Sequence, residues 1–123
     1  MGPAISVTSK HYPYPETELG VVGTARRYWI YNKESLESFE ETLEGAVFQR
    51  CSKVEINLDL LRRWRAENEP ATEVPNTKSA EYLLGVLRRF TEAFPESSIE
   101  GITFYCDGNE ELANLLTQGL CTH

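Results

Sequence analysis

"GITFYCDGNEELANLL" (residues 101–116) reads as a strand, a tight turn and a helix, and the rest of the chain is best parsed outward from it. β-Branched and aromatic residues dominate Ile102 to Tyr105, a composition that suits a half-buried strand. Asp107 and Gly108 mark the turn, where glycine supplies the free φ that a sharp strand-to-helix junction needs. Asp107 stands three residues before Glu110, the spacing of a capping box with Asp in place of Ser or Thr. Leu112, Leu115 and Leu116 then recur at helical spacing, with Gly119 at the C-cap position. The strand is expected over roughly 99–106 and the helix over 110–118. A helix N-terminus at the carboxyl end of a strand is a usual place for an anion. Here Asp107, Glu110 and Glu111 would repel one, so the junction reads first as a structural joint.

Upstream, "KSAEYLLGVLRRFTEAF" (residues 78–94) is a strong amphipathic helix opened by Asn76 or Thr77. Its expected buried face is Ala80, Leu83, Leu84, Leu87, Phe90 and Phe94, and Pro95 stops it. In "LLRRWRAENEPATEVPNT" (residues 60–77), Leu60, Leu61 and Trp64 fit a short helical turn before Pro70 and Pro75 enforce a loop. "KVEINLD" (residues 53–59) alternates strictly, with Val54, Ile56 and Leu58 on one face and Glu55, Asn57 and Asp59 on the other. One dry and one wet face point to an edge strand or an antiparallel setting.

"NKESLESFEETLEGAVFQR" (residues 32–50) reads as one helix with Leu36, Phe39, Leu43, Ala46 and Val47 in its apolar stripe. Asn32 or Ser35 can cap it, and acids crowd its early turns, where the helix dipole favours them. "LGVVGTARRYWIYN" (residues 19–32) reads as one strand, bent or bulged at Gly20 and Gly23 and firmest over Tyr28–Tyr31. "AISVT" (residues 4–8) is a first short strand. The resulting order, β-β-α-β-(α)-α-β-α, implies an α/β or α+β fold. The expectation is a single domain over residues 1–123, a mixed four-stranded sheet with three or four helices packed on it.

The stretch "VLRRFTEAFPESSIEGITFYCDGNEELANLL" (residues 86–116) resembles the terminal helix–strand–helix of a macrodomain, the ADP-ribose-binding fold. The likeness covers about a quarter of the chain and rests on the order of elements. "GVVGTARRYW" (residues 20–29) is similar to one ligand loop of that family, whose Asn-rich and Gly-rich loops are otherwise missing. The resemblance implies a nucleotide-binding module.

Composition narrows the function classes. The 123 residues are 41% hydrophobic and 25% charged, a globular balance in a chain long enough to bury a core without metal or disulfide. Nineteen acids against twelve Lys and Arg leave a formal charge of −7, which opposes direct nucleic-acid binding and suits a basic partner. No apolar run approaches the ~20 residues of a membrane span, and the N-terminal stretch lacks the pattern of a secretory signal. Cys51, Cys106 and Cys121 are widely spaced and odd in number, as expected of reduced thiols in a cytoplasmic protein. His11 and His123 have no nucleophile beside them, and no Cys or His spacing fits a metal site. No catalytic residue, metal or cofactor is therefore assigned.

Two surfaces remain. Glu37, Glu40, Glu41 and Glu44 fall at i, i+3, i+4 and i+7 and share one helix face, where like charges cost a few tenths of a kcal/mol each. With Tyr28 and Tyr31 as aromatic anchors, they suggest an acidic binding protein that occludes a basic partner, as immunity proteins and antitoxins occlude nucleases and other toxins. The alternative is a small-ligand or nucleotide-binding α/β module using Arg62, Arg63 and Trp64 beside Asp107 and Asn109, because "RRWR" interleaves an aromatic with cations.

Overall fold

The computed structural model of the chain describes residues 2–59 and 75–121. Within them lie five strands and four α-helices. The strands are β1 (Ala4–Thr8), β2 (Gly20–Val22), β3 (Ala25–Ile30), β4 (Lys53–Leu58) and β5 (Gly101–Tyr105). The helices are α1 (Lys33–Glu37), α2 (Phe39–Phe48), α3 (Asn76–Ala93) and α4 (Glu110–Cys121). The sheet is mixed, in the order β1-β5-β4-β3-β2, with every neighbouring pair parallel except β2 and β3.

The expected four strands are thus five. "LGVVGTARRYWIYN" folds back on itself at Gly23–Thr24, where Gly23 adopts φ 63°, the left-handed conformation that two-residue hairpins require and glycine takes without strain. Val22 consequently pairs with Ala25 and Gly20 with Arg27. The alternation in β4 was also misleading about position. β4 is a central parallel strand, flanked by β3 and β5, and its polar side is not wet, since Glu55 and Asp59 are each 8% exposed.

One core joins the described elements. Ile30, Val54, Ile56, Leu58, Ile102 and Phe104 from the sheet pack against Leu36, Phe39, Leu43, Leu83, Phe90, Leu112 and Leu116 from all four helices. The helices therefore bury on one face of the sheet, as parallel strands joined by helical crossovers demand. Phe39 and Phe104 meet edge to face, 5.8 Å between centroids, where α2 crosses β5. The opposite face, carrying Arg27, Trp29, Glu55, Asn57 and Tyr105, is crossed by the stretch that follows β1. There Tyr12 packs edge-on against Tyr105 at 5.4 Å, and the Arg27 guanidinium stands 3.5 Å from the Tyr14 ring centroid.

The helix expected over residues 32–50 is two helices, broken at Ser38 (φ −86°, ψ 1°). Asn32 and Ser35, the two alternative caps, act together. The Asn32 side chain accepts from Ser35 N (2.7 Å) while Ser35 Oγ accepts from Asn32 N (3.0 Å), a reciprocal capping box. At the other end of the chain, α4 runs on to Cys121, so Gly119 lies inside the helix and not at its C-cap. It is there for packing: a Cβ at Gly119 would stand 2.2 Å from Leu84 Cδ1, and the glycine lets α4 approach α3. Leu84 and Phe94, placed on the buried face of α3, are only half-buried, and Ser79 and Val86 lie within that face instead. The helical turn expected at Leu60–Trp64 lies outside the described residues.

Candidate functional site

The acidic face was expected on one helix and is presented by two. Glu37 ends α1, and Glu40, Glu41 and Glu44 belong to α2. The four are not equivalent. Glu40 is half-buried and accepts from Arg89 Nε of α3 at 2.9 and 3.3 Å. This contact raises the affinity of that guanidinium for its proton and holds α2 to α3. Glu37 lies 3.8 Å from Lys33 one turn back, and its backbone carbonyl accepts from Tyr82 Oη at 2.9 Å. Glu41 and Glu44 are exposed and make no ion pair among the described residues.

Phe48 completes this face. It ends α2 with 80% of its surface exposed. Its spacing from Glu41 and Glu44 is i+7 and i+4, so all three project from one side of the helix. The apolar stripe of α2 turns away from them, with Phe39, Leu43 and Ala46 fully buried. Sequence reasoning did not single out Phe48, although the signal was present. Counting four residues on from Glu44 puts a large aromatic on the acidic face instead of in the core stripe.

The two tyrosines divide. Tyr28 is no surface anchor: it is half-buried and its hydroxyl donates to Ser35 O at 2.7 Å, tying β3 to α1. Burial pushes that hydroxyl's pKa upward. Tyr31 stacks on Trp29, 4.4 Å between centroids at 36°. It lines, with Leu19, Arg26, Tyr28 and Ser35, a shallow groove of about 430 Å³ between β2, β3 and α1.

The residues of the ligand reading are brought together only in part. Arg62, Arg63 and Trp64 lie outside the described residues. Asp107 (φ 49°) and Gly108 (φ 82°) form a left-handed corner. Gly108 N donates to Ser9 O (2.6 Å), Asp107 N to Lys10 O (3.2 Å), and the Asp107 carboxylate contacts His11 Nδ1. The cap of α4 is Asn109 and not Asp107, because Leu112 N donates to Asn109 Oδ1 at 3.2 Å. Asn109 also exchanges side-chain amide bonds with Asn76 at the start of α3, at 3.0 and 3.3 Å. Both residues spend their polar atoms inside the fold, so this corner is the joint that locks β1, β5, α3 and α4 at the carboxyl ends of the strands.

Of the row Glu55, Asn57 and Asp59, Glu55 sits under the aromatic crossing. Arg27 Nε donates to Glu55 at 3.3 Å and its Nη1 pairs with Glu18 at 2.5 Å. The Glu55 carboxylate beside Tyr14 raises that hydroxyl's pKa. Tyr12 is raised by burial and then by the nearby Glu55 charge. Arg27 offsets the charges of Glu55 and Glu18, which suits a covered sheet face better than a reaction centre. Among the described residues, no group of three metal-ligating side chains occurs, and no helix is long and apolar enough to cross a membrane.

No protein-family model matches the chain, and no curated protein matches its sequence.

Proposed function

We propose that this chain is a small acidic docking protein that occludes a basic partner with the ridge Glu37, Glu41, Glu44 and Phe48. The observation that carries the reading is the placement of an 80% exposed phenylalanine in line with Glu41 and Glu44 of α2, which make no ion pair among the described residues. An exposed aromatic of that size is the kind of residue that anchors interfaces once a partner desolvates it, and flanking charges steer the encounter. The full formal charge of −7 belongs to the described part of the chain. The charged residues between 60 and 74 are three arginines (62, 63, 65) and three glutamates (67, 69, 73), which cancel. A partner with a cationic groove, such as a nuclease or another toxin, matches this field, and the role would be that of an immunity protein or antitoxin. Three free thiols fit a reducing compartment, and we place the protein in the cytoplasm.

The mechanism divides between the two kinds of residue. Glu41 and Glu44 raise the rate of encounter with a basic groove, and Phe48 fills an apolar recess and sets the lifetime of the complex. The partner recovered by low-salt capture tests this directly. Glu41→Lys with Glu44→Lys slows association at least tenfold and flattens its salt dependence. Phe48→Ala leaves association nearly unchanged and speeds dissociation by an order of magnitude or more. Equal kinetics for all three proteins would refute the reading.

A further inference from the structure

We propose that the groove between β2, β3 and α1 binds a small zwitterion, a molecule of the amino-acid or short-peptide kind with one carboxylate, one ammonium and an apolar side chain. This site is separate from the ridge on α2. The groove lies where the pairing of β2 stops at Arg27 and β3 continues through Ile30. Its volume of about 430 Å³ falls among those of small-molecule sites. Trp29 and Tyr31, with ring centroids 4.4 Å apart, and the exposed Leu19 give it an apolar lining. An apolar lining with a few placed polar groups is the usual composition of a ligand site.

The charges on the groove select the ligand. Three charged side chains line it, Arg26, Arg27 and Glu34. Arg27 is already spent on the carboxylates of Glu18 and Glu55. Arg26 has no carboxylate partner among the described residues. Its Nη1 donates to the neutral side chain of Gln49 at 3.0 Å, and its Nε is buried without a hydrogen-bond partner. Glu34 is exposed and makes no ion pair among the described residues. The groove thus presents one unneutralised cation and one unneutralised anion, which do not pair with each other. A simple anion would meet Glu34 as a like charge, and a simple cation would meet Arg26. A molecule carrying one of each satisfies both. Its carboxylate suits the planar guanidinium of Arg26, which takes two-oxygen acceptors in preference to point charges. Its ammonium goes to Glu34, and its apolar side chain covers Leu19, Trp29 and Tyr31.

Titration of the isotope-labelled full chain with L-phenylalanine and with glycyl-L-phenylalanine, followed by NMR below neutral pH, tests the proposal. Saturable shifts are expected at the amides of Gly20, Tyr31, Asn32 and Ser35, and the tighter probe tells a free amino acid from a peptide. N-acetyl-L-phenylalanine lacks the ammonium and binds about threefold more weakly, because its lost contact is with an exposed carboxylate. L-Phenylalaninamide lacks the carboxylate and binds about tenfold more weakly. Glu34→Gln and Arg26→Gln reproduce the two losses in turn, and Arg26→Gln binds phenylalanine and its amide alike. The derivatives remove the same charges on the wild-type chain, so the result does not depend on either variant folding. Phe48→Ala binds like the wild type, which separates this groove from the docking ridge. No saturable shift with either probe, shifts away from the groove, or equal affinity of the wild type for phenylalanine and both derivatives would overturn the proposal.

Discussion

The Arg27 guanidinium lies over the Tyr14 ring, 3.5 Å from its centroid, and donates through Nε to the buried carboxylate of Glu55. This one side chain holds the crossing stretch to the sheet and neutralises an acid in the middle of a central strand. A buried carboxylate stripped of its partner is far more costly than a surface pair undone. Arg27→Ala therefore lowers the melting temperature clearly more than Arg89→Ala, which breaks the exposed contact with Glu40. Adding Glu55→Gln to Arg27→Ala restores part of the loss, a recovery that thermal melts of the four proteins would measure.

Two glycines inside helices respond in opposite directions. Nothing stands within 4 Å of a Cβ at Gly45, so Gly45→Ala stabilises by about 1 kcal/mol through helix propensity. At Gly119 the same change drives a methyl into Leu84 and costs roughly 1–3 kcal/mol by overpacking. Leu84→Ala in the Gly119→Ala background relieves the clash. Urea titrations of the three variants check the signs.

Asn109 caps α4 and holds Asn76 at once, so Asn109→Ala loses more than an isolated cap. About 1–2 kcal/mol is expected, with faster amide exchange at Leu112, which loses its acceptor. Asp107→Ala at the neighbouring left-handed position destabilises as well, because a residue with a Cβ but no side-chain acceptor keeps the strain and gains nothing for it.

The thiols sort by burial. Cys121 is exposed while Cys51 and Cys106 are buried. An aromatic disulfide reagent should therefore titrate one thiol quickly in the native protein and three after denaturation. Burial pushes the Cys106 thiol up to about 12 from 9.0. Above pH 9 the unfolded chain sheds this proton and the folded chain keeps it. The unfolded state then binds fewer protons, and stability falls as pH rises from 9 toward 12, by up to about 1.4 kcal/mol per pH unit. Burial raises Tyr12, Tyr28 and Tyr105 as well, so their effect has the same sign. Denaturant midpoints between pH 8 and 11 show the trend.

Residue periodicity revealed the mixed α/β class, the strands at β1, β4 and β5 and the helices α3 and α4, because each buries one face of regular spacing. It failed where local chemistry overrides periodicity. Gly23 turns one apparent strand into a hairpin, and Ser38 divides one apparent helix, yet the alternation and the stripe on either side are unbroken. The wet face assigned to β4 was a matter of tertiary cover, since nothing local to Glu55 says that Arg27 and Tyr14 will lie over it. The acidic stripe was legible, but its relief was not, because Arg89 arrives from forty-nine residues away. Phe48 is legible by its spacing from Glu44, although its apolar character matches that of the core stripe beside it.

The ridge is tested most directly by low-salt capture from the native source on the wild-type chain beside Phe48→Ala and Glu41→Lys/Glu44→Lys, with mass spectrometry of what is retained. The account predicts one basic protein held by the wild type, released by raising salt and lost from both variants. Retention of the same proteins by all three, or of no basic protein by the wild type, would contradict it.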